Sequence, residues 1–175
     1  MTITAGWQER EGELAALEGH LGQPVRDLRL YERAEAVFNQ DAELHETHRR
    51  RQADLRRLQE LYRIRLSHAK TAARELFAIG DDSELMRMAR RSSLSAIRRL
   101  DAEHLKAIGS IHARWDARLD VRTRPVLARQ RAELERLVEN TGVICLAGGH
   151  VAVLLNRLRL FGLARLLRAR PVIAW

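Results

Sequence analysis

Cys145 is the single cysteine among 175 residues, so no disulfide can close within the chain. Prolines number three and glycines ten, and so few breakers over this length favour long, uninterrupted helices. Aromatic residues make up 5%, too few for a surface that stacks on bases. No apolar run is long enough to span a bilayer. The first residues, Met1 to Trp7, lack a basic leader followed by an apolar stretch. Together these absences set the expectation of a cytoplasmic protein with no membrane partner. Lysine is nearly missing too, with Lys70 and Lys106 the only two.

What is present is arginine and helical periodicity. Hydrophobic residues reach 46%, enough to build a core, and charged residues reach 31% with a net charge of +8. A basic balance attracts nucleic acid, anionic lipid or an acidic protein. Acidic residues alternate with the arginines in most segments, however. That alternation suits solvated helix faces, so a nucleic-acid partner is not expected.

Residues 6–21 carry Leu14, Leu17 and Leu21 at helical spacing, with Gly22 to stop that helix and Pro24 to start another. Leu28, Tyr31, Val37 and Phe38 continue the stripe as far as a break at Asn39-Gln40-Asp41. From Asp41 to Ile79 the residues Leu55, Leu58, Tyr62, Ala69, Ala72, Leu76 and Ile79 recur at steps of three and four, with Arg65 interrupting. Gly80 ends that segment, and Asp81 with Glu84 has the spacing of a capping box. A second seam runs Leu85, Ala89, Ile97, Leu100, His104, Ile108, Ile111 and Trp115. Two such helices joined by Gly-Asp-Asp predict an antiparallel helical hairpin. Pro125 starts another helix, with Leu127, Leu134, Leu137 and Val138 on one side and the polar Gln130 interrupting.

The texture changes at Gly142. Val143 to Ala147 is a continuous apolar run of strand length, as expected of a strand buried on both faces. Gly148-Gly149-His150 turns the chain into a helix over residues 151–161, Gly162 breaks it, and a short helix over 163–167 leads to a second buried strand at Val172–Trp175. Strand, helix and strand form a parallel βαβ unit. The reading is therefore a mainly α chain: a long antiparallel helical hairpin or bundle in residues 1–141, then a short parallel βαβ unit in 142–175.

Gly148, Gly149 and His150 are the best candidate site. Glycines there let the backbone approach a ligand, and the free amides of a helix N-terminus favour an anion or oxyanion. The run from Val143 to Leu158, then Gly162-Leu163, then Pro171 to Trp175 resembles the peptidase E family of the class I glutamine amidotransferase-like superfamily. The resemblance covers about the last fifth of the chain. It implies that Gly148 and Gly149 help form an oxyanion site, that His150 takes the place of a polar residue after the glycines, and that Trp175 precedes a nucleophilic serine. That serine, and the acid and base that would serve it, are not among the 175 residues, so no catalytic residue is assigned within the chain. The departures are His150 where the family carries asparagine, and upstream segments that read as helix where the family has strands.

Other candidates have plainer explanations. Asp41, His45 and His48, with Glu46 nearby, share a helical face that can present metal ligands, and Asp101 with His104 has an acid-x-x-His spacing. Exposed helix positions explain both, and neither a metal nor a cofactor is expected. His104 and His112 lie near the hairpin seam, Trp115 reads as a core anchor and Cys145 as an inert core thiol. Arg49, Arg50, Arg51, Arg56 and Arg57 could hold phosphate, but a solvated face explains them. Arg157, Arg159, Arg165, Arg168 and Arg170 flank the C-terminal helices.

Two functional expectations stand side by side, and nucleic-acid binding through the arginine-rich helices is a weaker third. One is a helical module followed by the start of a peptidase E-like domain, performing acyl transfer or hydrolysis on a peptide or amide substrate. The other is a non-enzymatic coiled-coil protein that associates with itself or with a partner helix through the heptad-like seam.

Overall fold

The computed structural model describes residues 1–118 and 124–174. The elements in order are β1 (Thr2–Ile3), a 3-10 segment (Ala5–Arg10), α1 (Ala15–Leu21), α2 (Leu30–Gln40), α3 (Ala42–Ala78), α4 (Glu84–Arg118), α5 (Pro125–Glu139), β2 (Ile144–Leu146), α6 (Val151–Leu160), α7 (Ala164–Leu167) and β3 (Val172–Ala174). The protein is mainly helical with a short parallel sheet, as the sequence predicts. No helix among the described residues is long and apolar enough to cross a membrane.

The chain forms two compact units, and they do not follow a linear division at residue 141. Residues 1–45 and the described residues from 124 on make one unit; residues 46–118 make the other. The reason is a strand at the N-terminus. Thr2 and Ile3 pair in parallel with Cys145 and Leu146, so the first residues join the last ones. The sheet has three strands in the order β1-β2-β3, all parallel. Three residues of the Thr-Ile-Thr type are too few to show a period, and they precede a segment with helical spacing.

In the α/β unit, β2 is the central strand. Ile144 and Cys145 are buried and Leu146 is half-buried, as a strand between two neighbours should be. β3 does not match the expectation of a second buried strand: Val172, Ile173 and Ala174 are all exposed on the edge of the sheet. The core is filled by fully buried Ile3, Leu17, Leu28, Leu30, Leu127, Leu134 and Leu163. The region predicted as a helix over 6–21 divides in two. Gln8, at φ 58°, kinks the 3-10 segment within its range, and Gly12, at φ 96°, lies between that segment and α1. Pro24 does not open α2, which starts only at Leu30.

The helical unit is an antiparallel hairpin of α3 and α4. Their ranges of 37 and 35 residues correspond to rods of about 50–55 Å. The cross-links run in opposite chain directions: Arg51 meets Asp116 at 3.2 Å, Asp54 meets Trp115 Nε1 at 3.0 Å, Gln59 meets His104 at 3.0 Å, and Tyr62 donates to Asp101 at 2.7 Å. Near the bend, Arg90 donates to the carbonyl of Leu76 at 3.1 Å. The seam differs in detail from its sequence reading. Ala73 is buried where Ala72 is exposed, and Leu66 turns inward where Arg65 points out, while Leu55, Tyr62, Ala69 and Leu76 keep their seven-residue steps on the inward side. Ile79 lies past the helix end and is 48% exposed. Ser83, not Asp81, caps α4: its hydroxyl accepts from the Met86 amide at 3.3 Å, while Asp81 holds the Ser83 amide at 2.8 Å.

Candidate functional site

The site is built where β1 and β2 end. Adjacent parallel strands deliver their following loops side by side, at the edge of the sheet where open α/β sheets bind ligands. After β1 the loop runs Thr4-Ala5-Gly6-Trp7; after β2 it runs Ala147-Gly148-Gly149-His150. The two are locked together. The Ala147 amide donates to the Ile3 carbonyl at 3.0 Å, and the His150 amide donates to the Gly6 carbonyl at 2.7 Å.

The glycines are required by that approach. Gly149 sits at φ +97°, and a Cβ there would lie 2.5 Å from the Gly6 carbonyl oxygen and 2.8 Å from Trp7 Cδ1. A Cβ on Gly6 would lie 2.5 Å from the Gly148 carbonyl oxygen. Two backbones pass each other here with no room for a side chain on either. Gly6 thus belongs to the candidate site, and sequence reasoning missed it. Its signal is the repetition of one pattern, a β-branched or apolar strand running through alanine into glycine, at Thr2–Gly6 and again at Ile144–Gly148.

His150 opens α6. Its Nδ1 accepts the Val153 amide at 3.4 Å, so the ring serves as the N-cap and is placed beside the glycine turn by that role. The amides of Val151 and Ala152, first in the helix, have no intrahelical acceptor. A groove of about 1000 Å³ reaches the turn at Gly149 alone and is otherwise lined from residues 6–18, among them Gly6, Trp7 and Leu14, with the Arg10–Glu13 ion pair of 2.7 Å at its exposed rim. No serine, cysteine or lysine lines this groove. The arrangement offers backbone donors, a helix N-terminus and an aromatic wall. Trp175 lies outside the described residues.

Behind the loops, Glu11 is 7% exposed and ties the site to α2. Its carboxylate accepts from the amides of Tyr31 at 3.0 Å and Glu32 at 2.9 Å, capping α2 from a distance. Burial pushes its carboxyl above the ordinary value of 4.5, more than these two amides pull it down. A carboxyl raised on folding contributes stability that is complete below its unfolded value and is lost as pH rises through its folded value. The thermal midpoint of the native chain relative to Glu11→Gln should therefore fall as pH rises from below 4.5, then level off. A pH-independent difference between the two would show that this carboxyl is not desolvated.

The other predicted residues are engaged elsewhere. Asp41 accepts from Arg124 at 2.8 Å and from the Leu44 amide at 2.9 Å. His45 stacks on Phe38 with ring centroids 5.1 Å apart, and His48 is buried against Arg51 at 3.2 Å. His104 stacks on Tyr62 at 4.1 Å, and Asp101 accepts a hydrogen bond from the tyrosine hydroxyl. No group of three His, Cys, Asp or Glu among the described residues could hold a metal ion. Cys145 is buried, and Trp115 is 8% exposed. Of the C-terminal arginines, Arg157 turns inward to Glu35 at 2.8 Å, and Arg170 donates to the Glu139 carbonyl at 2.8 Å.

Comparison of the chain with protein-family models, with curated proteins and with solved structures finds no match.

Proposed function

We propose that the α/β unit is the oxyanion-binding part of an acyl-transfer site acting on a peptide or amide, with the Gly148-Gly149-His150 turn as the site of the acyl oxygen. The observation that carries this reading is the register of β3. Ala174 pairs with Leu146, the last residue of β2, so β3 ends beside the loop that carries the glycine turn. A nucleophile at that point would face the glycine turn, which is where the resemblance to the peptidase E family places its serine. Backbone donors fixed by the Gly6–Gly149 contact would then act without reorganising as charge develops on the oxygen.

The test is labelling of the protein at its native length with a serine-directed fluorophosphonate, read by intact mass and peptide mapping. One adduct, on a serine directly after Trp175, is expected. A native-length protein that takes no label, or takes it only within residues 1–175, sinks the proposal.

A self-associating coil has weaker support. The large apolar residues exposed near the middle of the hairpin are Leu61, Ile64, Leu94 and Leu105. They do not repeat at seven-residue steps along either helix, so they make no second seam.

A further inference from the structure

The net charge of the protein is concentrated in the hairpin. Residues 46–118 hold 17 arginines and lysines against 10 aspartates and glutamates, while the rest of the sequence holds 14 against 13. Ion pairs then sort these charges in space. Arg50 pairs with Glu46 at 2.8 Å, Arg57 with Glu60 at 3.4 Å, Arg65 with Glu103 at 3.0 Å and Arg114 with Asp54 at 2.5 Å.

The cations left over lie in rows. On α3, Arg56, Arg63 and Lys70 are exposed, stand seven residues apart and make no ion pair among the described residues. Arg49, one heptad earlier, heads the row with its guanidinium 3.6 Å from Glu46. Seven residues advance a helix by about 10.5 Å and drift only about 20° around it, so the row is a nearly straight line of about 30 Å. Arg50 and Arg57 each sit one residue on, about 100° round the helix, and so on another face. On α4, Arg91 and Arg98 form one such row, with Arg99 and Lys106 beside it, again exposed and without ion pairs among the described residues. Beside these rows lie exposed Ser92, Ser95, Ala102 and Gly109, and exposed Leu94 and Leu105 flank Arg98 with no aromatic side chain next to them. Of the acids three or four residues from these cations, Glu60 and Glu103 are held on Arg57 and Arg65, and Asp101 accepts from the Tyr62 hydroxyl.

We propose that this hairpin surface docks the phosphodiester backbone of a nucleic-acid duplex. The spacing selects the partner. Cations about 10 Å apart cannot converge on one phosphate or one nucleotide, but they match a partner whose negative charge repeats along a line. A membrane-surface helix would place an apolar face with aromatics beside its basic face. The neighbours of the α3 row are Gln52, Gln59 and Ser67 instead. No aromatic side chain lies in the rows, so contact is to phosphates and not to bases, and binding is indifferent to sequence. In the linear sequence the acids alternate with the arginines; the ion pairs neutralise one set and leave another. This proposal is independent of the acyl-transfer reading, since it concerns the other unit.

The experiment uses the full chain and two unrelated DNA duplexes of about 30 base pairs, long enough to accept the row. Binding is followed by fluorescence anisotropy as salt is varied. The native protein should bind both duplexes alike, with log affinity falling linearly against log salt. The variant Arg56→Gln/Arg63→Gln/Lys70→Gln should reduce the steepness of that slope by about three and weaken binding near 0.15 M salt on the order of a hundredfold. Glutamine is a good helix former and these side chains touch no core, so the fold survives. The control Arg50→Gln/Arg57→Gln/Arg65→Gln removes the same net charge from paired positions and should change the slope by less than one. Equal losses in the two variants, no binding to either duplex, or equally tight binding to phosphatidylglycerol vesicles would overturn the proposal.

Discussion

Gly149→Ala is expected to destabilise the α/β unit by about 3–5 kcal/mol, read as a drop in the urea midpoint of unfolding. Two costs add. Gly149 has φ +97°, where a Cβ costs about 1–3 kcal/mol. The same Cβ would lie 2.5 Å from the Gly6 carbonyl oxygen, 2.7 Å from its carbon and 2.8 Å from Trp7 Cδ1. Overpacking of that kind costs typically about 1–3 kcal/mol, and backbone cannot step aside as a flexible side chain would. Gly6→Ala should cost about 1–3 kcal/mol from the approach to the Gly148 carbonyl alone, since Gly6 does not have positive φ. Gly109→Ala is the contrast: a Cβ there meets nothing within 4 Å, and the site is in an exposed helix, so stability should rise by about 0.5–1 kcal/mol. If Gly149→Ala unfolded within 1 kcal/mol of the native chain, the two loops could not be pressed together as described.

The second large effect is at Arg157. Its side chain is 9% exposed although it carries a full charge. The guanidinium lies 2.8 Å from Glu35 and 5.2 Å from the ring centroids of both Tyr31 and Phe38. All three partners are on α2, so one side chain pins α6 to it. Burial pulls the guanidinium below its ordinary value, and Glu35 opposes that pull. Arg157→Ala should cost about 3 kcal/mol, because the stem, the ring contacts and the ion pair go together. Arg157→Met should recover most of that loss: it restores the volume, and Glu35, 44% exposed, can hydrate when left alone. Glu35→Gln should cost about 1–2 kcal/mol by leaving a buried cation with a weaker partner. Thermal unfolding of the three variants decides the matter. Equal losses in Arg157→Met and Arg157→Ala would mean that charge, and not packing, holds α6 on α2.

Much of this protein is readable along the chain because it depends on neighbours in sequence. The hairpin follows from apolar side chains returning every three or four residues and from the break at Gly80. α6 and its stop follow from the apolar run over 151–161 and from Gly162, whose φ of +67° an L side chain resists. The crossover from β2 to β3 follows from two short apolar runs flanking those helices. The turn at Gly148-Gly149-His150 is legible for the same reason: a glycine pair interrupts both the apolar run before it and the helical pattern after it.

What failed to show in the sequence depends on partners far away along it. Thr2 and Ile3 are a strand only because Cys145 and Leu146 lie alongside, and nothing within the first ten residues announces that. Gly6 matters only because Gly149 crosses it. β3 carries the composition of a buried strand, yet it sits at the edge, since a strand's burial depends on how many neighbours the sheet gives it. The arginines look alike in sequence; which are neutralised and which remain as a row is decided by helix phase and by acids on the facing helix. Local periodicity and backbone chemistry fixed the helices, the breaks and the glycine turn. Tertiary pairing alone decided that the chain's two ends build one unit, and that the glycine turn has a partner.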